Sequence, residues 1–122
     1  FYNRQEEFEK TIEALNQRAA IEPNNPEAFY TISTYYWDKA YRDFRLKEPE
    51  KKEFVLKGIA EVDKALQLKS DYMEALTYKN LLLRLQANLE KDTAKQSALL
   101  KEADKLRDQA LDLQKKQAAG IK

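Results

Sequence analysis

The stretch EPNNPEAFYTISTYYWDK, residues 22–39, decides how the chain is organised. Pro23 and Pro26 bracket the pair Asn24 and Asn25, and a helix cannot run through that punctuation. Asn25 suits the N-cap, because its side-chain oxygen can accept from an otherwise unpaired backbone N–H. Pro26 suits the first helical position, where its fixed φ and missing N–H cost nothing. Beyond it, Phe29, Ile32, Tyr36, Ala40 and Phe44 recur every three or four residues, the spacing of one helical face. The stretch therefore reads as the end of one helix, a turn and the aromatic face of the next.

Working outward, the same grammar gives five helices at about 2–21, 26–46, 50–69, 71–90 and 93–116. The first presents Phe8, Ile12, Leu15 and Ala19 on one stripe, and Pro49 is placed to open the third. That third helix puts Phe54, Ile59, Val62, Ala65, Leu66 and Leu68 inside. Asp71 with Glu74, and Thr93 with Gln96, have the three-residue spacing of capping boxes. In the last helix Leu99, Ala103, Leu106, Ala110 and Leu113 step by four and three, and Gly120 marks its frayed end. Connections this short set each helix antiparallel to the one before. The expected fold class is all-α, built of antiparallel helix-turn-helix repeats, in a single domain spanning residues 1–122.

Composition agrees and removes several kinds of function. Only two glycines and three prolines interrupt 122 residues, and the dominant residues are good helix formers. With 22 basic and 21 acidic residues the net charge is +1, so no global field draws the chain to nucleic acid or to an anionic membrane. The longest apolar run, broken by Arg84, falls far short of a membrane span. Cysteine and histidine are both absent, which removes disulfides, thiol nucleophiles, soft metal ligands and the commonest general base. The chain begins at Phe1 rather than methionine and reads as a fragment of a longer protein. Any targeting signal would have been lost with the upstream sequence, which leaves the compartment open.

An internal repeat separates this pattern from an arbitrary bundle. PEAFYTIS from Pro26 superposes on MEALTYKN from Met73 at an offset of 47, pairing Ala28 with Ala75 and Phe29 with Leu76. KALQLKS from Lys64 superposes on QALDLQK from Gln109 at an offset of 45, pairing Ala65 with Ala110 and Leu68 with Leu113. Helix two thus corresponds to helix four, and helix three to helix five.

On these residues the chain resembles the tetratricopeptide repeat (TPR) family, as a bacterial-type member with extended helices. Pro23, Asn24, Asn25, Ala28, Phe29, Ile32, Ser33 and Tyr36 fall in order on the positions of that family's repeat junction. Gly58, Val62 and Ala65 fit its second helix, with Ser70 in place of the usual proline. The departures are an offset longer than the family's 34 residues, Lys79 and Asn80 at a leucine and a small-residue place, and Arg107 at a bulky apolar one. Helix one resembles a second helix whose partner would precede Phe1.

The resemblance implies a superhelical protein-interaction module whose first helices line a groove for an extended or helical peptide. Its groove positions are Glu27, Tyr30, Thr34 and Trp37 on helix two, and Glu74, Thr77, Leu81 and Arg84 on helix four. Tyr30 and Thr34 stand where some members carry a lysine and an asparagine that grip a peptide's terminal carboxylate. An aromatic groove with Arg84 as its main charge is therefore expected instead. Tyr30, Trp37 and Tyr41 lie off the inward stripe of helix two; they either form an exposed recognition surface or are covered by the extended helices.

No site for chemistry competes with this reading. Asp104, Asp108 and Asp112 share one face of helix five but are surrounded by Lys101, Lys105 and Arg107, as in a solvated charged face. Glu6 with Lys10 and Glu61 with Lys64 read as surface pairs. The expectation is a scaffold that binds a protein or peptide partner, with no enzymatic activity, no metal, no cofactor, no nucleic acid and no membrane insertion. The alternative is a self-associating structural element, in which Phe1, Tyr2, Phe8 and Ile12 are left uncovered and a homo-oligomer forms.

Overall fold

A computed structural model describes the backbone of residues 2–120 and the side chains of residues 4–120. Five helices follow one another: α1 (Tyr2–Ile21), α2 (Pro26–Arg42), α3 (Glu48–Leu68), α4 (Met73–Leu89) and α5 (Thr93–Ala118). The protein is all-α among its described residues. Each helix packs on the next, and α2 also lies against α4. That last contact joins the two helices the sequence repeat equates, as expected when hairpins stack side by side.

The helices repeat at the same offsets as the sequence. α2 and α4 are both 17 residues long and start at Pro26 and Met73, the same offset of 47. α3 and α5 start at Glu48 and Thr93, an offset of 45. The difference of two is absorbed between hairpin arms, where the α2–α3 turn takes residues 43–47 and the α4–α5 turn only 90–92.

Three of the four turns are capped differently from the sequence expectation, and each difference has a local cause. At the first, Asn25 accepts from the Glu27 N–H at 3.1 Å, as expected. α2 stops at Arg42 rather than near residue 46, because the Asp43 carboxylate takes Lys39 Nζ at 2.8 Å and the Arg45 N–H at 3.1 Å. Phe44 therefore sits in the turn, off the helical stripe, and is 85% exposed, while Leu46 folds inward instead. α4 has Tyr72, not Asp71, at its N-cap position, with no side-chain cap bond. The Tyr72 ring is drawn into the core beside Tyr30, so packing overrides capping there. At α5 the cap is Asp92, one residue before Thr93, accepting from the Ala94 and Lys95 N–H groups; Gln96 reaches back to the Ala87 carbonyl at 2.8 Å.

The core is a relay of three apolar clusters. The first joins Ile12 and Ala19 of α1 to Ala28, Ile32 and Tyr36 of α2, with Phe8, Leu15 and Phe54 packed against it. The second centres on Val62, Ala65, Ala75 and Leu82, between α3 and α4. The third joins Leu76 and Leu83 of α4 to Ala103, Leu106 and Ala110 of α5. Phe29 belongs to the first two, and Ile59 and Leu66 to the last two, so neighbours share residues and distant helices do not. Leu68, expected inside, is 42% exposed at the last residue of α3.

Gly58 allows the closest approach. A Cβ there would meet a Leu82 methyl at 2.9 Å and the Tyr36 Cβ at 3.2 Å, so α2, α3 and α4 converge on a position where any side chain must displace a neighbour. Two of the positions that depart from the expected repeat pattern, both on α4, are accommodated by polar contacts. Lys79 Nζ bonds Asp63 of α3 at 2.7 Å, and the buried Asn80 accepts from Arg84 Nε at 2.8 Å.

Candidate functional site

The aromatic residues singled out on α2 do not share one fate. Tyr30 and Trp37 are half-buried against the α3–α4 cluster, so the extended helices cover much of both. Tyr41, one turn beyond Trp37, stays 61% exposed. Together with two tyrosines of the α3–α4 turn and α4, these rings form one continuous seam. Tyr72 lies 5.2 Å from Tyr30, Tyr30 lies edge-on to Tyr78 at 5.5 Å, and Tyr78 lies edge-on to Trp37 at 5.8 Å. Trp37 and Tyr41 then stack at 4.8 Å with only 11° between their planes. A shallow hollow of about 170 Å³ adjoins Tyr41, lined also by Lys51, Leu85, Asn88 and Leu89.

Helix periodicity explains why the seam runs along the α2–α4 contact. Tyr30, Thr34, Trp37 and Tyr41 step by four, three and four, which holds them on one face of α2. On α4 the facing ring is Tyr78, one residue after the expected Thr77. Its repeat equivalent on α2 is Thr31, so the seam has no counterpart in sequence that a repeat alignment could reveal. Tyr72 escapes for a different reason: behind the expected Asp71 cap it falls at the very start of helix four, outside the groove positions. Their signal was the aromatic character of the α4 segment itself, which the groove positions carried over from the family passed by.

Of the four positions expected on α4, the structure brings none into the seam. Thr77 closes its hydroxyl onto the Met73 carbonyl at 3.0 Å, spending its only donor within its own helix. Leu81 is half-buried and belongs to none of the three core clusters. Glu74 is exposed in the first turn of α4. Arg84, expected as the groove's main charge, is turned to α5 and bound by Asp104 at 2.7 Å. On α2, Thr34 donates to the Thr31 carbonyl at 2.7 Å, and Glu27 pairs with Arg18 of α1 at 3.0 Å.

Electrostatics follow from this placement. Burial pushes the Tyr30 phenol up to about 12, helped by the neighbouring Tyr78 and Tyr72 and then by Glu74 and Glu27. Burial likewise raises Tyr72. The phenols of the seam's half-buried end therefore stay neutral at ordinary pH and keep their donor hydrogens. Asp104 is held low chiefly by its hydrogen bond from Arg84, so that pair is an ionised clasp between α4 and α5 rather than a free recognition charge.

Several of the remaining charged residues form pairs. Arg107 reaches both Asp104 at 3.5 Å and Asp108 at 3.3 Å, Lys116 pairs with Asp112 at 3.2 Å, and Lys64 with Glu61 at 3.2 Å. The expected Glu6–Lys10 pair is not among the ion pairs of the described residues. No group of three or more acidic residues among those described could hold a metal ion. Among the described residues no helix is long and apolar enough to cross a membrane. Comparison with family models, with curated protein sequences and with solved structures returns no match.

Proposed function

We propose that the chain is a TPR-like interaction module that captures a segment of a partner protein along the α2–α4 face and performs no catalysis itself. The observation that carries this reading is the aromatic seam ending in the exposed Tyr41 ring, stacked on Trp37. A hydrophobic ring held rigid by stacking, with its outer face wet, offers apolar area at little entropic cost. That is the usual composition of an interface anchor. Tyr30, Thr34, Trp37 and Tyr41 form the binding row, Glu27 and Glu74 its acidic rim, and Thr77 and Leu81 its far bank. Arg84 acts through its clasp on Asp104 rather than by gripping the partner.

Because Trp37 and Tyr30 are half-buried, their removal would confuse binding with folding. The informative variants are Tyr41→Ala and Thr34→Arg. Each should lower affinity for a captured segment about tenfold or more, the size expected of an aromatic anchor, while the melting temperature stays within about 2 °C. Loss of affinity only in variants that also lose their thermal transition would count against the proposal.

Self-association by continuing the stack has weaker physical support. Ile12 is buried and Phe8 half-buried, so α1 is less bare than that reading requires; Phe1 and the Tyr2 side chain lie outside the described residues. At the α5 end, the repeat equivalents of Trp37, Ile59 and Val62 are Arg84, Asp104 and Arg107, already tied to one another. Docking a further hairpin there would bury a charge network where the internal contact buries apolar side chains.

A further inference from the structure

Away from the α2–α4 face, α1 and α3 enclose a cleft of about 330 Å³. Its floor is made of Phe8, Ile12, Tyr36 and Phe54. The rings support one another: Phe8 lies edge-on to Tyr36 at 5.8 Å and to Phe54 at 5.3 Å, and Tyr36 stacks on Phe54 at 6.0 Å. The rim carries Glu9, Glu50 and Glu53 against the single cation Lys57. That cation is already spoken for, by Glu53 at 3.1 Å. Glu50 gives one oxygen to the Lys47 N–H at 3.2 Å, and Glu9 enters no ion pair among the described residues.

A second feature points the same way. Gln5 Oε1, on the wall of this cleft, is buried and meets no donor. One turn beyond Lys57 on α3, Glu61 Oε2 is likewise buried and unpaired. Both orphaned atoms are acceptors. The cleft thus has one unpaired acceptor, on Gln5, and carboxylates in excess, over an aromatic floor.

We propose that this cleft receives a lysine or arginine side chain from a partner protein. The aliphatic stem lies over Phe8 and Phe54, and the cationic head reaches Glu9 and Glu53, with Gln5 Oε1 as a further acceptor. The volume sits at the small end of ligand pockets, which run from about 300 to 1,000 Å³, so it suits one side chain rather than a cofactor. An amphipathic side chain that buries its stem and presents its charge to acceptors matches floor and rim together. A phosphate or carboxylate ligand would meet three carboxylates and one cation already paired.

The test uses four short acetylated peptides that differ only in a central arginine, lysine, glutamine or glutamate between leucines. Each is titrated into isotope-labelled protein, and backbone amide shifts are followed. The arginine and lysine peptides should move the amides of Phe8, Ile12, Phe54 and Lys57, and the glutamine and glutamate peptides should not. Glu9 and Glu53 are exposed, so the double variant Glu9→Lys, Glu53→Lys should fold; it should weaken arginine-peptide binding about tenfold or more. A control, Glu102→Lys on α5, should leave it unchanged. Equal binding of the arginine and glutamate peptides, shifts confined to α2 and α4, or an unaffected double variant would each overturn the assignment.

Discussion

Gly58 shows how one residue can hold three helices. Alanine there gains about 0.5–1 kcal/mol of helix propensity, yet its Cβ would overlap the fully buried Leu82 and press on the Tyr36 backbone side. Overpacking of this kind costs about 1–3 kcal/mol, so Gly58→Ala should be destabilising by roughly 1 kcal/mol, seen as a melting temperature about 4 °C lower. An unchanged or higher melting temperature would show that Leu82 gives way freely. Asp43 makes the opposite case, a charge that the fold needs. Its pair with Lys39 leaves only 12% and 10% of the two side chains exposed, and its carboxyl is held below the usual range chiefly by the Lys39 hydrogen bond. Stability from a depressed carboxyl is present above its unfolded pKa and lost as pH falls through the folded one. Asp43→Asn should therefore cost about 1–2 kcal/mol at pH 7 and should flatten the acid side of the stability profile. At the alkaline end the sign reverses. Tyr30, pushed up to about 12 from its ordinary 10, contributes stability that is intact below pH 10 and falls away between pH 10 and 12. Denaturant midpoints measured across pH 9–12 should decline over that window, and Tyr30→Phe should lessen the decline.

At the scale of elements, the helices were legible in sequence and their ends less so. The 3.6-residue stripes placed Ile12, Ile32, Val62, Ala65, Leu106 and Ala110 inside, and all are buried. The repeat offsets fixed which helices correspond. The misplaced details were local contests that a stripe does not encode: Asp43 capping α2 early and expelling Phe44, Tyr72 preferring a ring neighbour to a cap, Asp92 outcompeting Thr93. Of the expected groove positions, Tyr30 and Trp37 on α2 lie in the aromatic seam, joined there by Tyr41, while none of the four on α4 does. Position-by-position transfer selected Thr77 and Arg84, whereas the ring that completes the seam is Tyr78 and the charge at Arg84 belongs to α5. The Asp92 cap gives an element-scale test. It satisfies two N–H groups at the start of the 26-residue α5; Asp92→Ala should cost about 1 kcal/mol, and Thr93→Ala much less. If the two variants are equally costly, the cap is shared differently from this description.

The whole molecule is a short line of helices in which each cluster leans on its neighbour. In such arrays stability is a sum of local terms and nearest-neighbour interfaces. The middle, where α2, α3 and α4 converge on Gly58 and Leu82, should be the last part to exchange its amide hydrogens, and the far end of α5 the first. The expected gradient suits the proposed function, because the aromatic seam lies along the α2–α4 contact, where exchange should be slowest. A rigid anchor row loses little entropy when a partner lands on it. The most direct test is to select peptides that bind the folded chain from a random library, then map the tightest by amide shifts. The account predicts shifts along Tyr30, Thr34, Trp37, Tyr41 and Tyr78, and an affinity that falls about tenfold or more with Tyr41→Ala. Peptides that bind tightly, leave that row unmoved and tolerate Tyr41→Ala would contradict it.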